Sequence, residues 1–203
     1  MKRTTLFIIA LLSLTTLNAQ ERLIKISPFH FSDATFNISV EKSMKSDYTL
    51  NFSGGVHLLE DGWDARDEKG VTSEIQLRKY VLSFRNSESK LNGIYVAPFA
   101  QISYFRMHDI YRNWIYEYDD VTGDYVGSFL EETNVNASSK SGQAGVVMGV
   151  QYIMSDVILV DFFLGGGVQY AVESGNRDRY NDIGSRFYTG VMPKIGFNVG
   201  VKL

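Results

Sequence analysis

The chain has 203 residues, with 20 basic and 23 acidic side chains, a formal net charge of −3, and no cysteine. That composition excludes disulfides, thiolate metal sites, cysteine nucleophiles and acylation of a lipoprotein-type cysteine. It shows no basic face for nucleic acid, and no later segment is long and apolar enough to read as a membrane-spanning helix.

The N-terminus reads as an export signal. Lys2 and Arg3 precede an apolar core from Leu6 to Leu17, and Leu17-Asn18-Ala19 before Gln20 is a small-residue cleavage pattern. The expectation is a signal peptide over 1–19 and one domain over 20–203.

Alternating or apolar segments separated by turn residues fill that domain, and none holds a helical period. They predict eight strands over 22–31, 34–43, 47–58, 74–86, 92–107, 139–153, 157–172 and 186–203. Tight links fall at Ser43 to Ser46, Ser87 to Leu91 and Met154 to Asp156. Long ones fall at Leu59 to Ser73, His108 to Ser138 and Glu173 to Ser185. Tight turns at one end and long loops at the other are the pattern of an outer-membrane barrel.

The face pattern points the same way. Phe36, Ile38 and Val40 alternate with Asn37, Ser39 and Glu41, and Ile158, Val160, Phe162 and Leu164 alternate with residues that include Asp161 and Gly165. In the last strand Val191, Pro193, Ile195, Phe197, Val199 and Val201 share one face, while glycines and polar residues share the other. Apolar residues outside and small or polar residues inside reverse the faces of a soluble ligand-binding barrel. Tyr48, Phe84 and Tyr152 near one end, and Tyr104, Tyr170 and Phe187 near the other, are candidate interfacial girdles. Pro28, Pro98 and Pro193 lie inside predicted strands, where each removes a ladder donor, so bulges are expected there. Gly165-Gly166-Gly167 has no following helix for phosphate binding and is expected to admit close packing at a barrel corner.

The segments Lys25-Ile26-Ser27-Pro28, Phe36 to Lys42, Gly93-Ile94-Tyr95-Val96-Ala97-Pro98 and Pro193 to Gly200 resemble an uncharacterised family of small outer-membrane β-barrels abundant in Bacteroidota, of the eight-stranded OmpA and OmpX kind. The resemblance implies an all-β fold, an eight-stranded antiparallel up-and-down transmembrane β-barrel, in the cell outer membrane. It carries no catalytic residues to transfer. Lys194-x-Gly196-x-x-Val199-x-Val201 resembles a terminal signal for the barrel-assembly machinery, which is thereby an expected partner during biogenesis, alongside outer-membrane lipid and lipopolysaccharide.

Three groups of residues are candidates for function. Lys25, Glu41, Arg85, Asp161 and Lys202 are expected inside near the turn end, with Lys79 and Lys194 somewhat higher, as an interior charge network. An interior just wide enough for side chains makes a salt-bridged plug the plain reading and a narrow pore the alternative. The loop 108–138 contains a predicted hairpin, in which Trp114, Tyr116 and Tyr118 face Tyr125 and Phe129 through a turn at 119–124. Aromatic residues on a protruding ribbon suit contact with an extracellular ligand or partner strand. His57 and Ser103 sit on inward positions two strands apart without an orienting acid, so a lipid-modifying hydrolase is the weaker alternative.

Asp119, Asp120 and Asp124 match no calcium-loop spacing. No metal, cofactor or catalytic residue is expected. The three long connections, taken as 59–73, 109–140 and 173–185, hold 15 acidic against 6 basic residues, so the acidity is expected to be external. The function expected from these features is a non-enzymatic envelope structural or surface-interaction role.

Overall fold

The computed structural model describes residues 21–44, 47–61, 66–84, 91–120, 122–154, 157–175 and 186–203. The proposed signal segment 1–19 and Arg85 lie outside the described residues. Eight strands run in chain order: β1 (Arg22–Ile26), β2 (Thr35–Ser43), β3 (Tyr48–Asp61), β4 (Arg66–Ser83), β5 (Gly93–Tyr118), β6 (Tyr125–Met154), β7 (Ile158–Gly175) and β8 (Gly190–Lys202). Each pairs antiparallel with its neighbour, and β1 pairs with β8 from Leu23↔Lys202 to Ile26↔Val199, closing the sheet into a barrel. Closure matters because it satisfies the edge N–H and C=O groups that an open sheet leaves free.

Side chains alternate between two environments along every strand. Phe36, Phe52, Ile75, Ile102, Met148, Leu164 and Ile195 face outward and are exposed, whereas Lys25, Glu41, Gln76, Arg78, Gln151 and Asp161 are buried inside. The barrel therefore carries its apolar surface outside and its polar groups inside. Lys79 and Tyr48 are cross-strand partners on the exterior, the Lys79 Nζ standing 5.7 Å from the Tyr48 ring centre. Phe84 and Tyr152 meet edge to face at 6.0 Å near the same end.

Several boundaries depart from the sequence expectation. Pro28 does not interrupt a strand. It occupies the first turn of a 3-10 helix over Pro28–Asp33, where its missing N–H is no loss, and β1 ends at Ile26. Pro98 and Pro193 sit in β5 and β8 without a register shift, and the irregularity between β4 and β5 falls instead at Tyr80/Leu82. The links expected at 59–73 and 108–138 are mostly strand. β3 and β4 continue past the apolar zone to Asp61↔Arg66, and β5 and β6 continue to Tyr118↔Tyr125. These extensions have polar residues on both faces, so they lack the alternation that marks a strand in sequence.

Glycines let β6 and β7 approach. A Cβ on Gly145 would meet the backbone of Gly166, and one on Gly167 would meet the backbone at Ala144. We predict that Gly167→Val lowers the free energy of unfolding by about 1–3 kcal/mol, the cost of overpacking against rigid backbone. Gly54→Ala, whose Cβ has nothing within 4 Å, is expected to leave the denaturant midpoint in place. Equal midpoints for both variants would contradict the packing account.

Candidate functional site

The interior is layered. Near the end that carries the termini, Leu23, Leu91, Leu159 and Ile153 are buried around the rings of Tyr80 and Tyr95. Directly against these rings lie four charged side chains with no solvent exposure: Lys25, Glu41, Arg78 and Asp161. Lys25 Nζ pairs with Glu41 and lies 3.0 Å from Asp161 Oδ2 and 2.5 Å from Gln151 Oε1. Arg78 Nη1 lies 3.0 Å from Glu41 Oε2 and 2.9 Å from Asp161 Oδ2. Two cations and two anions thus alternate around one centre.

Neutral donors complete the carboxylates. Glu41 Oε1 accepts from Thr49 Oγ1 at 2.5 Å and from the Tyr80 hydroxyl at 3.0 Å. Asp161 accepts from the Tyr95 hydroxyl at 2.8 Å and from Asn198 Nδ2 at 3.2 Å. The Arg78 guanidinium also stacks over the Tyr95 ring at 4.3 Å and donates through Nε to Gln76. Every strand supplies at least one member: Lys25 from β1, Glu41 from β2, Thr49 from β3, Arg78 and Tyr80 from β4, Tyr95 from β5, Gln151 from β6, Asp161 from β7 and Asn198 from β8. Buried charges are tolerated only with partners this complete.

The sequence-based network is partly regrouped. Lys25, Glu41 and Asp161 meet as a cluster. Lys202 does not join them: it lies one inward position nearer the end where β1 begins, opposite Leu23, and binds Glu21 at 2.6 Å. Lys194 lies higher in the lumen, donating to Glu74 at 2.6 Å and Gln101 at 2.7 Å, with Phe99 beneath its ammonium at 4.7 Å. Lys79, expected inside, is outside, and Arg78 holds the interior position that was missed. Consecutive cations hid the phase of this strand. Its signal was there in the flanking residues, because Ile75, Leu77 and Val81 fix odd positions outward and Glu74, Gln76 and Tyr80 fix even positions inward.

Above the charge layer the lumen opens into a well of about 450 Å³. Ser39, Ser53, Glu74, Gln101, Gln143 and Gln169 are successive cross-strand partners from β2 to β7 and form a polar row that climbs its wall. At the mouth Arg186 pairs with Glu68, lies 2.9 Å from Asp33 and 3.1 Å from His57 Nδ1, and covers the Phe105 ring at 4.6 Å. His30, in the 3-10 helix beside the well, is held below the ordinary imidazole range by burial and then by the Lys194 ammonium. The polar neighbours of His57 are Thr35, Arg186 and Glu68, while Ser103 bonds to Gln101. The structure does not bring His57 and Ser103 together.

The second candidate site projects from the well's end of the barrel. β4 accompanies β5 only as far as His108, and β7 accompanies β6 only to Ala137, so the ladder from Asp109↔Val135 to Tyr118↔Tyr125 is a two-stranded ribbon roughly 30 Å long. Its turn is closed by Asp119 N to Asp124 O at 2.8 Å, with Gly123 at φ 73°. The irregularity after Glu117 gathers Tyr125 with Tyr118 at 6.0 Å and with Tyr116 at 6.4 Å. Trp114 lies opposite Leu130 on that face, whereas Phe129 lies opposite Ile115 on the other. The five aromatic residues therefore divide four to one rather than forming a single surface.

We predict that Arg78→Leu lowers the free energy of unfolding by about 3–5 kcal/mol, because it leaves buried carboxylates without their cation. Lys79→Ala, on the exterior, is expected to change it by about 0.5 kcal/mol or less. Urea titration in detergent distinguishes them, and the reverse order would contradict the interior assignment of Arg78.

The chain matches the family described as protein of unknown function, DUF3575, over residues 5–186, and it belongs to that family. No curated protein and no solved structure matches it.

Proposed function

We propose that this DUF3575 member is a non-enzymatic outer-membrane β-barrel, with an envelope structural or surface-interaction role exerted through its β5–β6 ribbon. The observation that carries the membrane reading is the exterior. Apolar side chains from all eight strands are exposed around the barrel, for example Ile102 at 69% and Val191 at 70%, on a sheet closed by the pairing of β1 with β8. Soluble monomers rarely expose contiguous apolar surface on that scale, and lipid requires closure. Lys79 over Tyr48, together with Phe84 against Tyr152, suits the headgroup level at the turn end. In this reading the signal segment 1–19 directs export, the assembly machinery inserts the barrel, and lipid and lipopolysaccharide surround it.

The ribbon is the contact element. Trp114, Tyr116, Tyr118 and Tyr125 are all more than half exposed on one face. Exposed aromatics offer stacking area at small entropic cost. The narrow-pore reading is disfavoured by the fully buried charge layer and the Leu23, Leu91 and Leu159 side chains against it. The hydrolase reading paired His57 with Ser103, and the two have different partners: Thr35, Arg186 and Glu68 for His57, and Gln101 for Ser103.

In detergent extracts the protein should migrate differently with and without boiling, and reconstituted bilayers should stay electrically silent. Deleting residues 113 to 130 should preserve the heat shift and abolish binding to the cell-surface partner. Absence of a heat shift would contradict the barrel in lipid, stable conductance would favour the pore, and retained binding would move the contact away from the ribbon.

A further inference from the structure

The well above the charge layer has a chemistry that the ribbon does not use. Its volume of about 450 Å³ falls among small-molecule sites, roughly 300–1,000 Å³, and its lining runs from the charge layer up to Phe29, which is half exposed. Four carboxamides in its wall keep hydrogen-bonding capacity. Gln169 Nε2 donates to Tyr188 O at 2.8 Å, Gln143 Nε2 to Met192 O at 3.5 Å, and Asn198 Nδ2 to Asp161. Asn51 Oδ1 is buried without a hydrogen-bond partner among the described residues. Each carboxamide has two N–H donors, so the one bond donated by Gln143, Gln169 or Asn198 leaves one N–H and the carbonyl oxygen to meet a ligand.

Charge does not select the occupant. In the lining, Lys194 is offset by Glu74 and Arg186 by Asp33. What remains is a set of neutral amide donors and acceptors beside aromatic side chains, since Phe29 and Phe163 also line the well. Apolar rings next to amide donors and acceptors complement a molecule with C–H faces and hydroxyl edges. We infer that the well is a binding site for an uncharged, hydroxyl-rich molecule of monosaccharide size, whose hydroxyls donate to the side-chain oxygens of Asn51, Gln143, Gln169 and Asn198. The inference rests on the barrel interior and is independent of the ribbon.

The test uses the full chain in detergent, with glucose and N-acetylglucosamine as probes and choline and inorganic phosphate as charged comparators, followed by saturation-transfer NMR. Saturable binding of a sugar is expected. It should weaken about tenfold in Gln143→Leu/Gln169→Leu, which removes two net hydrogen bonds, and remain unchanged when residues 113 to 130 are deleted. Heat-shifted migration confirms that each variant is folded, and Asn51→Leu carries the same test if the double variant does not fold. No saturable sugar binding, undiminished binding in the folded variants, or preferred binding of choline or phosphate would overturn the inference. Sugar binding that disappears with the ribbon and survives in the luminal variants would also overturn it, while leaving the ribbon reading in force.

Discussion

The charge layer around Lys25, Arg78, Glu41 and Asp161 is the interaction on which the remaining structure depends. All eight strands contribute to it, so it forms only when each strand has the right neighbour and the right phase. A one-residue slip in any strand would move its member from the lumen to the apolar exterior. In a barrel without cysteine, this layer supplies the register specificity that a covalent staple would otherwise give. A buried ion network adds little net stability compared with apolar packing, but losing one partner is expensive. It therefore penalises wrong pairings more than it rewards the right one.

The layer also divides the molecule into parts with different chemistry. Toward the termini, tyrosine rings and leucines close the lumen. In the other direction lies an amide-lined well, with Arg186 and His57 at its mouth and the aromatic ribbon rising beyond. Glycines make this geometry possible where strands approach most closely, as between β6 and β7, where Gly145 and Gly167 have no room for a Cβ. Gly149 similarly yields its space to the Tyr95 ring, whose hydroxyl holds Asp161. Backbone packing and charge satisfaction are thus coupled through one aromatic side chain.

Much of the fold was legible because period-two alternation is a direct image of a two-sided sheet. β2, β7 and β8 show it with few exceptions, and Lys25, Glu41 and Asp161 could be assigned inside from phase alone. Arg78 was missed because Lys79 follows it, and composition does not say which of two adjacent cations points inward; Ile75 and Leu77 do. The upper parts of β3 to β6 are harder to read because polar residues fall on both of their faces, and only the hairpin inside 108–138 is visible in the sequence. The division of the ribbon aromatics depended on the irregularity after Glu117, a backbone feature with no residue signature. The well was invisible for a different reason: its wall comes from side chains far apart in sequence, and the amides of Gln143, Gln169 and Asn198 converge only once the strands are paired.

The central claim is that the barrel presents its apolar face to lipid and its charges to the lumen. Because the chain lacks cysteine, single cysteines introduced along β7 from Ile158 to Val168 can each carry a spin label without background. In reconstituted bilayers, labels at 158, 160, 162, 164 and 168 should be accessible to lipid-soluble oxygen and protected from a polar nickel reagent, while labels at 159, 161 and 163 should be shielded from oxygen. An accessibility that lacks this two-residue period, or that favours the polar reagent at the even positions, would contradict the account.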